Sequence, residues 1–178
     1  MTVSRKLVIF IAAIVMVAAN CICLEAQAVS KASQSPSITV SIAMENSLVL
    51  MGKKPVAILT IKNISHQVVG FSPASDLCRV HVEGKDGEPA RTEWNRHLRG
   101  DYRPGDGPYL VDGPVVTTEV APGSSDFRKY DLSDYYDLSV PGKYSIYIEF
   151  YDPLGPPDLS GLWLRTRTEH FEIQPPNQ

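Results

Sequence analysis

The chain has 178 residues, 17 of them Lys or Arg and 20 Asp or Glu, for a formal charge of −3. So mild an acidity argues against a nucleic-acid partner, which needs a concentrated basic face, and favours solubility. With 12 glycines and 14 prolines against three cysteines, the composition points to a fold built on turns rather than on disulfides.

At the start of the chain, Arg5 and Lys6 precede the apolar run from Leu7 to Ala19, and Ala26-Gln27-Ala28 supplies a small-x-small cleavage pattern. Residues 1–28 therefore read as a signal peptide, and the working protein as exported, either periplasmic or secreted. A lipoprotein signal fits poorly, because Asn20 precedes Cys21 and Ile22 precedes Cys23, where a small residue is required. An uncleaved anchor over Leu7 to Leu24 is the closer alternative, and with both charges ahead of the apolar run it too would leave the domain outside. After cleavage no stable membrane insertion is expected. About 150 residues remain, enough for one core without disulfide support.

Residues 29–37 are Ser, Lys, Gln and Pro without apolar periodicity, a flexible lead-in. Ile38, Val40, Ile42 and Met44 then alternate with smaller residues, which predicts a strand. A short stretch follows over Leu48 to Met51. Val56 to Lys62 is apolar at nearly every position and rich in β-branched residues, as expected of a central strand covered on both faces. Leu77 to Glu83 and Ala90 to Trp94 flank Asp86-Gly87 and predict a hairpin. Within its first arm Cys78 shares the parity of Val80 and Val82, so its thiol is expected in the core as a small apolar group.

Residues 95–114 hold four glycines, three prolines and six charged residues, long for a connection inside one domain. Val115 to Val120 resumes strand composition, Ala121-Pro122-Gly123 turns the chain, and Phe127 to Leu132 offers a further strand. The spacing of Leu132, Tyr135, Tyr136 and Leu138 predicts a short helical turn. Pro141-Gly142 launches the clearest strand, with Tyr144, Ile146, Ile148 and Phe150 on one face. Asp152 to Gly161 is a Pro/Gly loop. Leu162 to Ile173 reads as a last, long strand containing a bulge, with Trp163, Phe171 and Ile173 on one face, and residues 175–178 form a tail. The expected architecture over 38–174 is all-β: an immunoglobulin-like antiparallel β-sandwich of about seven to nine strands.

The run from Asp131 to Ile146, with Asp131-Leu132-Ser133, Tyr136-Asp137 and Pro141-Gly142-Lys143-Tyr144, resembles the signature of bacterial secreted immunoglobulin-like domains and is similar to prodomains of some secreted metallopeptidases. Gly52, Pro55-Val56 and Ile61-Lys62-Asn63-Ile64-Ser65 resemble the opening strands of the BsuPI proteinase-inhibitor domain. These resemblances span about half of the exported part and bear on fold more than on activity. In Greek-key sandwiches a tyrosine near a strand start bonds to backbone a few residues upstream, and Tyr144 is placed for that structural role.

No nucleophile motif, zinc motif or phosphate loop occurs, and His66, His81, His97 and His170 are scattered without ligand spacing. No catalytic residue, metal or cofactor is expected. Asp131, Asp134 and Asp137 lie three apart but lack the glycine and glutamate of a calcium loop, and read as capping and solvated charge. The long loop carries Arg99-Gly100-Asp101, an integrin-type tripeptide of little weight at three residues. It also places Trp94, Tyr102 and Tyr109 among charges. Trp94, Arg99, Asp101, Tyr102 and Tyr109 are therefore the candidate binding set, or else the aromatics cover a sheet edge. The function expected is a non-enzymatic binding or accessory module with an unknown protein partner, a protease or a cell-surface component. The alternatives are a BsuPI-like proteinase inhibitor acting through this loop and, weakest, an enzyme with an unrecognised site.

Overall fold

Side chains alternate across a strand, so the order of apolar residues decides which face of each strand enters the core. The computed structural model describes residues 35–71, 77–107 and 117–176. In β1 (Ile38–Met44), Ile38 and Ile42 are buried while Thr39, Ser41 and Ala43 face solvent. Strand β3 (Val56–Asn63) pairs with β1 on one side and β7 (Ser125–Asp131) on the other, making a three-stranded antiparallel sheet. Its Ala57, Leu59, Ile61 and Asn63 are buried, but Val56, Ile58 and Thr60 on the opposite face are only half-buried. The expectation of a strand covered on both faces is corrected accordingly: β3 is central within its sheet, yet one face stays partly open.

The second sheet has the order β2 (Leu48–Leu50), β10 (Glu169–Gln174), β8 (Gly142–Tyr151), β5 (Cys78–Glu83), with β9 (Trp163–Arg165) also on β8. A small third pairing joins β4 (Val69–Phe71) to β6 (Thr118–Val120), and β4 was not anticipated from the sequence. The core lies between the two larger sheets. Ile38, Leu59, Ile61 and Tyr130 from the first meet Val80, Val82, Ile146, Ile148, Phe150 and Phe171 from the second. Among the described residues ten strands, one short α-helix and a 3₁₀ turn make this an immunoglobulin-like all-β sandwich.

One pairing departs from the antiparallel plan. β2 runs parallel to β10, with Val49 opposite Ile173. No crossover helix is needed, because residues 45–47 carry the chain from one sheet to the other and the partner strand comes from the far end of the sequence. The lead-in also ends earlier than its composition suggested. Ser37 is buried, its backbone N–H donates to Asp152 Oδ2 at 2.6 Å, and its hydroxyl donates to Asp152 Oδ1.

The last strand is interrupted rather than bulged. β9 and β10 both line the same long partner, and between them the Thr166 N–H donates to the Ile148 carbonyl at 2.9 Å while Thr166 Oγ1 accepts the Ile148 N–H at 3.0 Å. That side chain replaces a missing ladder bond, so the break leaves no backbone group of Ile148 unsatisfied. The break also changes parity. Leu164, opposite Phe150, packs against the core, whereas Trp163 lies on the outer face and does not share a face with Phe171 and Ile173.

The Tyr144 hydroxyl donates to the Val140 carbonyl at 2.6 Å, pinning the Pro141-Gly142 entry into β8. The Tyr144 ring stacks on Phe171 of the neighbouring strand, with centroids 5.4 Å apart. Tyr144→Phe keeps the stack and orphans the carbonyl, and is expected to cost about 1–3 kcal/mol in a urea melt. An unchanged midpoint would show that this bond is exchanged for water without loss.

Candidate binding surface at helix α1

The segment Ala90 to Trp94 does not form the expected hairpin arm. The tight reversal is present, with Gly84 and Gly87 exchanging backbone bonds of 2.8 and 3.2 Å and Gly87 at φ 102°. Beyond it the chain pairs elsewhere. The Asp137 N–H donates to Ala90 O at 2.7 Å, and the Thr92 N–H to Tyr135 O at 3.0 Å. Residues 93–99 then form helix α1 (Glu93–Arg99). Thr92 caps it, its hydroxyl oxygen accepting the Asn95 N–H at 3.1 Å, and Gly100 ends it in the left-handed region at φ 72°. Asn95, nearly fully buried, donates to Tyr135 O at 2.9 Å and ties the helix to the 3₁₀ turn at Leu132–Asp134.

The residues after the helix are stapled back onto it. Arg96 grips Asp106 with Nε at 3.0 Å and Nη2 at 2.5 Å, and its Nη1 donates to Arg91 O at 2.7 Å. Arg91 forms an ion pair with Asp101 and a two-pronged one with Glu88 at 2.9 and 3.0 Å. Glu93 accepts the Gly107 N–H at 2.6 Å. Residues 101–107 are thus a fixed turn. The Arg96 guanidinium and the Arg103 N–H hold the Asp106 carboxyl down to about 2. An unfolded aspartate titrates near 3.9, so the contribution of this carboxylate is complete above that value and is lost as pH falls through about 2. NMR titration is expected to find the Asp106 midpoint near 2, with amides of 101–107 protected at mildly acidic pH; a midpoint near 4 would rule the staple out in solution.

Of the candidate set, Trp94 lies on α1 and stacks on His97 at 5.9 Å, and His97 meets Tyr102 edge-on at 5.5 Å. Tyr102 is 63% exposed. Arg99 and Asp101 are engaged in the fold: Arg99 Nη2 donates to Val80 O at 2.8 Å and Asp101 pairs with Arg91. The tripeptide therefore does not present two free charges. Tyr109 lies outside the described residues, as does the signal segment over 1–28 and its anchor alternative over Leu7 to Leu24. Among the described residues no helix is long and apolar enough to cross a membrane.

Sequence reasoning missed the outer face of the second sheet beside α1. Arg79 lies 3.9 Å above the Trp163 ring, and Arg165 lies 3.6 Å above Tyr147, whose ring also stacks on His81 at 4.5 Å. His81 Nε2 is 3.1 Å from Glu149 Oε2 and 3.4 Å from Arg99 Nη2. Burial and then the Arg99 charge push the His81 pKa down, against the pull of Glu149, so the ring is neutral at pH 7. Between this face and α1 runs a groove of about 300 Å³, lined by Arg79, Arg91, Arg99, Leu98 and Asp101, with Leu159 at φ 59° on its rim. Three guanidinium groups line it, of which Arg91 is paired with Asp101 and Glu88. Such a surface suits planar or anionic groups, since guanidinium pairs with carboxylates and stacks on rings.

Cys78 also borders the groove but offers no nucleophile. Burial pushes its thiol up to about 11, so it stays protonated at neutral pH. Asp131 accepts the Ser133 N–H at 3.0 Å and pairs with Lys54, while Asp137 accepts the Ser139 N–H at 3.1 Å. Among the described residues no three His, Cys, Asp or Glu side chains converge as metal ligands.

No protein-family model matches the chain, and no curated protein does. Among solved structures it is similar to the CARDB domain of a Pyrococcus furiosus protein, crystallised with di-metal ions. The identity there is 14%, over 78% of this chain and 93% of that one, with a TM-score of 0.39. The solution structure of that domain gives 12%, 79%, 94% and 0.36 in the same order. A PapD-like domain of human CEP192 is 13% identical over 82% of this chain and 89% of its own, with a TM-score of 0.29.

Proposed function

We propose that this protein is a non-enzymatic, exported binding module, and that it engages a protein partner through helix α1, residues 101–107 and the adjoining arginine-lined groove. The observation that carries this reading is the pair of staples, Arg91 to Asp101 and Arg96 to Asp106. They hold an exposed Tyr102, with His97 and Trp94 behind it, in one geometry before any partner arrives. A preorganised aromatic anchor loses little conformational freedom on binding, and aromatic and arginine side chains dominate binding energy at interfaces. Arg79 and Arg99, which are in no carboxylate ion pair among the described residues, favour a partner segment carrying carboxylates.

The inhibitor alternative is less favoured. It needs an extended segment to lie in a protease cleft, whereas residues up to Arg99 are helical and 101–107 fold back on the helix. The test is an affinity pull-down from the exported fraction with intact protein and with Tyr102→Ala and Arg79→Ala variants. The module reading expects one retained partner that both variants lose, with proteolysis of that partner unaffected. The same partners retained by all three proteins would overturn it.

A further inference from the structure

The free edge of β7 carries an inference separate from the α1 surface. In the ladder with β3, the Asn63 N–H donates to Ser124 O and the Leu132 N–H to Pro55 O, so the bonded pairs are 63 with 124, 61 with 126, 59 with 128 and 57 with 130. In an antiparallel ladder the alternate residues point the other way. The backbone N–H and C=O groups of Ser125, Phe127 and Lys129 are therefore directed away from β3. Among the described residues no strand pairs with that edge. A groove of about 440 Å³ is lined by residues 126–131 together with Thr118, Asp134 and Tyr135. Phe127 is 68% exposed, the largest exposure among the large apolar residues described. The strand has no proline; of the devices that keep an edge from pairing it carries Lys129 and, just before its start, Gly123 and Ser124 both bonded to Asn63.

We propose that β7 is a self-association edge, pairing antiparallel with β7 of a second copy about a two-fold axis through Phe127. The strand's own sequence selects this occupant and this register. With Phe127 opposite its symmetry mate, Asp126 falls opposite Arg128 of the other copy and Lys129 opposite Ser125, and all outward backbone groups meet their complements. Centring on Arg128 or on Lys129 would set like charges against each other. The Arg128 to Asp126 pair within each strand, at 2.9 Å, becomes part of an alternating row of charges across the join.

Sedimentation equilibrium of the protein purified from the exported fraction tests the proposal. The expected result is a dimer that Phe127→Pro converts to monomer without loss of the β spectrum, because only an outward N–H is removed. Phe127→Lys, which sets two like charges on the axis, gives the same outcome if the proline variant fails to fold. In mild oxidant Phe127→Cys forms a covalent dimer and Ser125→Cys does not, since only residue 127 meets itself. A monomeric parent, whether the edge stays bare or is taken by a strand of another kind, overturns the proposal. So does a dimer that survives both Phe127 variants, or one that Phe127→Cys cannot cross-link.

Discussion

Phe150→Ala is expected to remove about 3–5 kcal/mol of stability. Phe150 is completely buried, meets Phe71 edge-to-face at 5.5 Å, and is flanked in its sheet by Cys78 on β5 and Leu164 on β9. Strands on both sides and an opposing ring prevent the surroundings from closing over the space that alanine leaves. The loss combines the transfer energy of the ring with a persistent cavity, and it takes a large share of a domain stability of roughly 5–15 kcal/mol. Urea melts are expected to show a lower midpoint at an unchanged slope, and thermal melts a fall of roughly 10 °C. Phe150→Leu, which retains most of the volume, is expected to lose less than half as much. A cost below about 1 kcal/mol for the alanine variant would mean that the sheets slide together at this point.

The strands that determine this core were readable because alternation is a local signal. Tyr144, Ile146, Ile148 and Phe150 announce their face without knowledge of any partner, and all four are buried. Helix α1 was not readable for the opposite reason. Among its seven residues only Trp94 and Leu98 are apolar, so there is no stripe to detect. What holds it is a cap at each end and long-range bonds from Asn95 to Tyr135 O and from Arg99 to Val80 O. Thr92 and Gly100 are residue types that cap helices, but with no apolar stripe between them they do not by themselves mark one. The staples carried no readable signal, because Arg91 with Asp101 and Arg96 with Asp106 are ten residues apart, a spacing with neither helical nor strand period.

The arginine and aromatic rows on the outer sheet face lay beyond sequence reasoning. Arg79 meets Trp163, and Arg165 meets Tyr147, only after three strands acquire their register. That register depends on the interruption at Thr166, which moved Trp163 to the outer face. Alternation within a strand can tell which residues share a side, but it does not tell which residues of another strand stand beside them. The outer surface of this fold is therefore less legible than the core beneath it.

Asn63 shows how a residue that reads as mere punctuation becomes a structural centre. It is fully buried at the end of β3, and its side chain is saturated. Nδ2 donates to Gln67 O and to Val120 O, both at 2.8 Å, while Oδ1 accepts from the Ser65 N–H at 2.9 Å and from its hydroxyl at 2.8 Å. These bonds join the strand to the turn after it and to β6. Asn63→Ala removes four hydrogen bonds and takes the side-chain donor from the buried Val120 carbonyl, while the Gln67 carbonyl keeps the Ser65 hydroxyl and the Ser65 N–H keeps the Ser37 carbonyl, and it is expected to cost about 1–3 kcal/mol in a urea melt. Asn63→Asp separates the polar contribution from packing, because the shape is kept while a carboxylate oxygen replaces the donor in front of two carbonyls. Burial and those carbonyls raise the pKa of the introduced carboxyl above its unfolded value, so the folded state favours the protonated form. The variant is therefore expected to be least stable at neutral pH and to recover as pH falls through the folded pKa, where the new O–H donates to one of the carbonyls. A pH-independent loss equal to that of the alanine variant would show that Asn63 acts through packing alone.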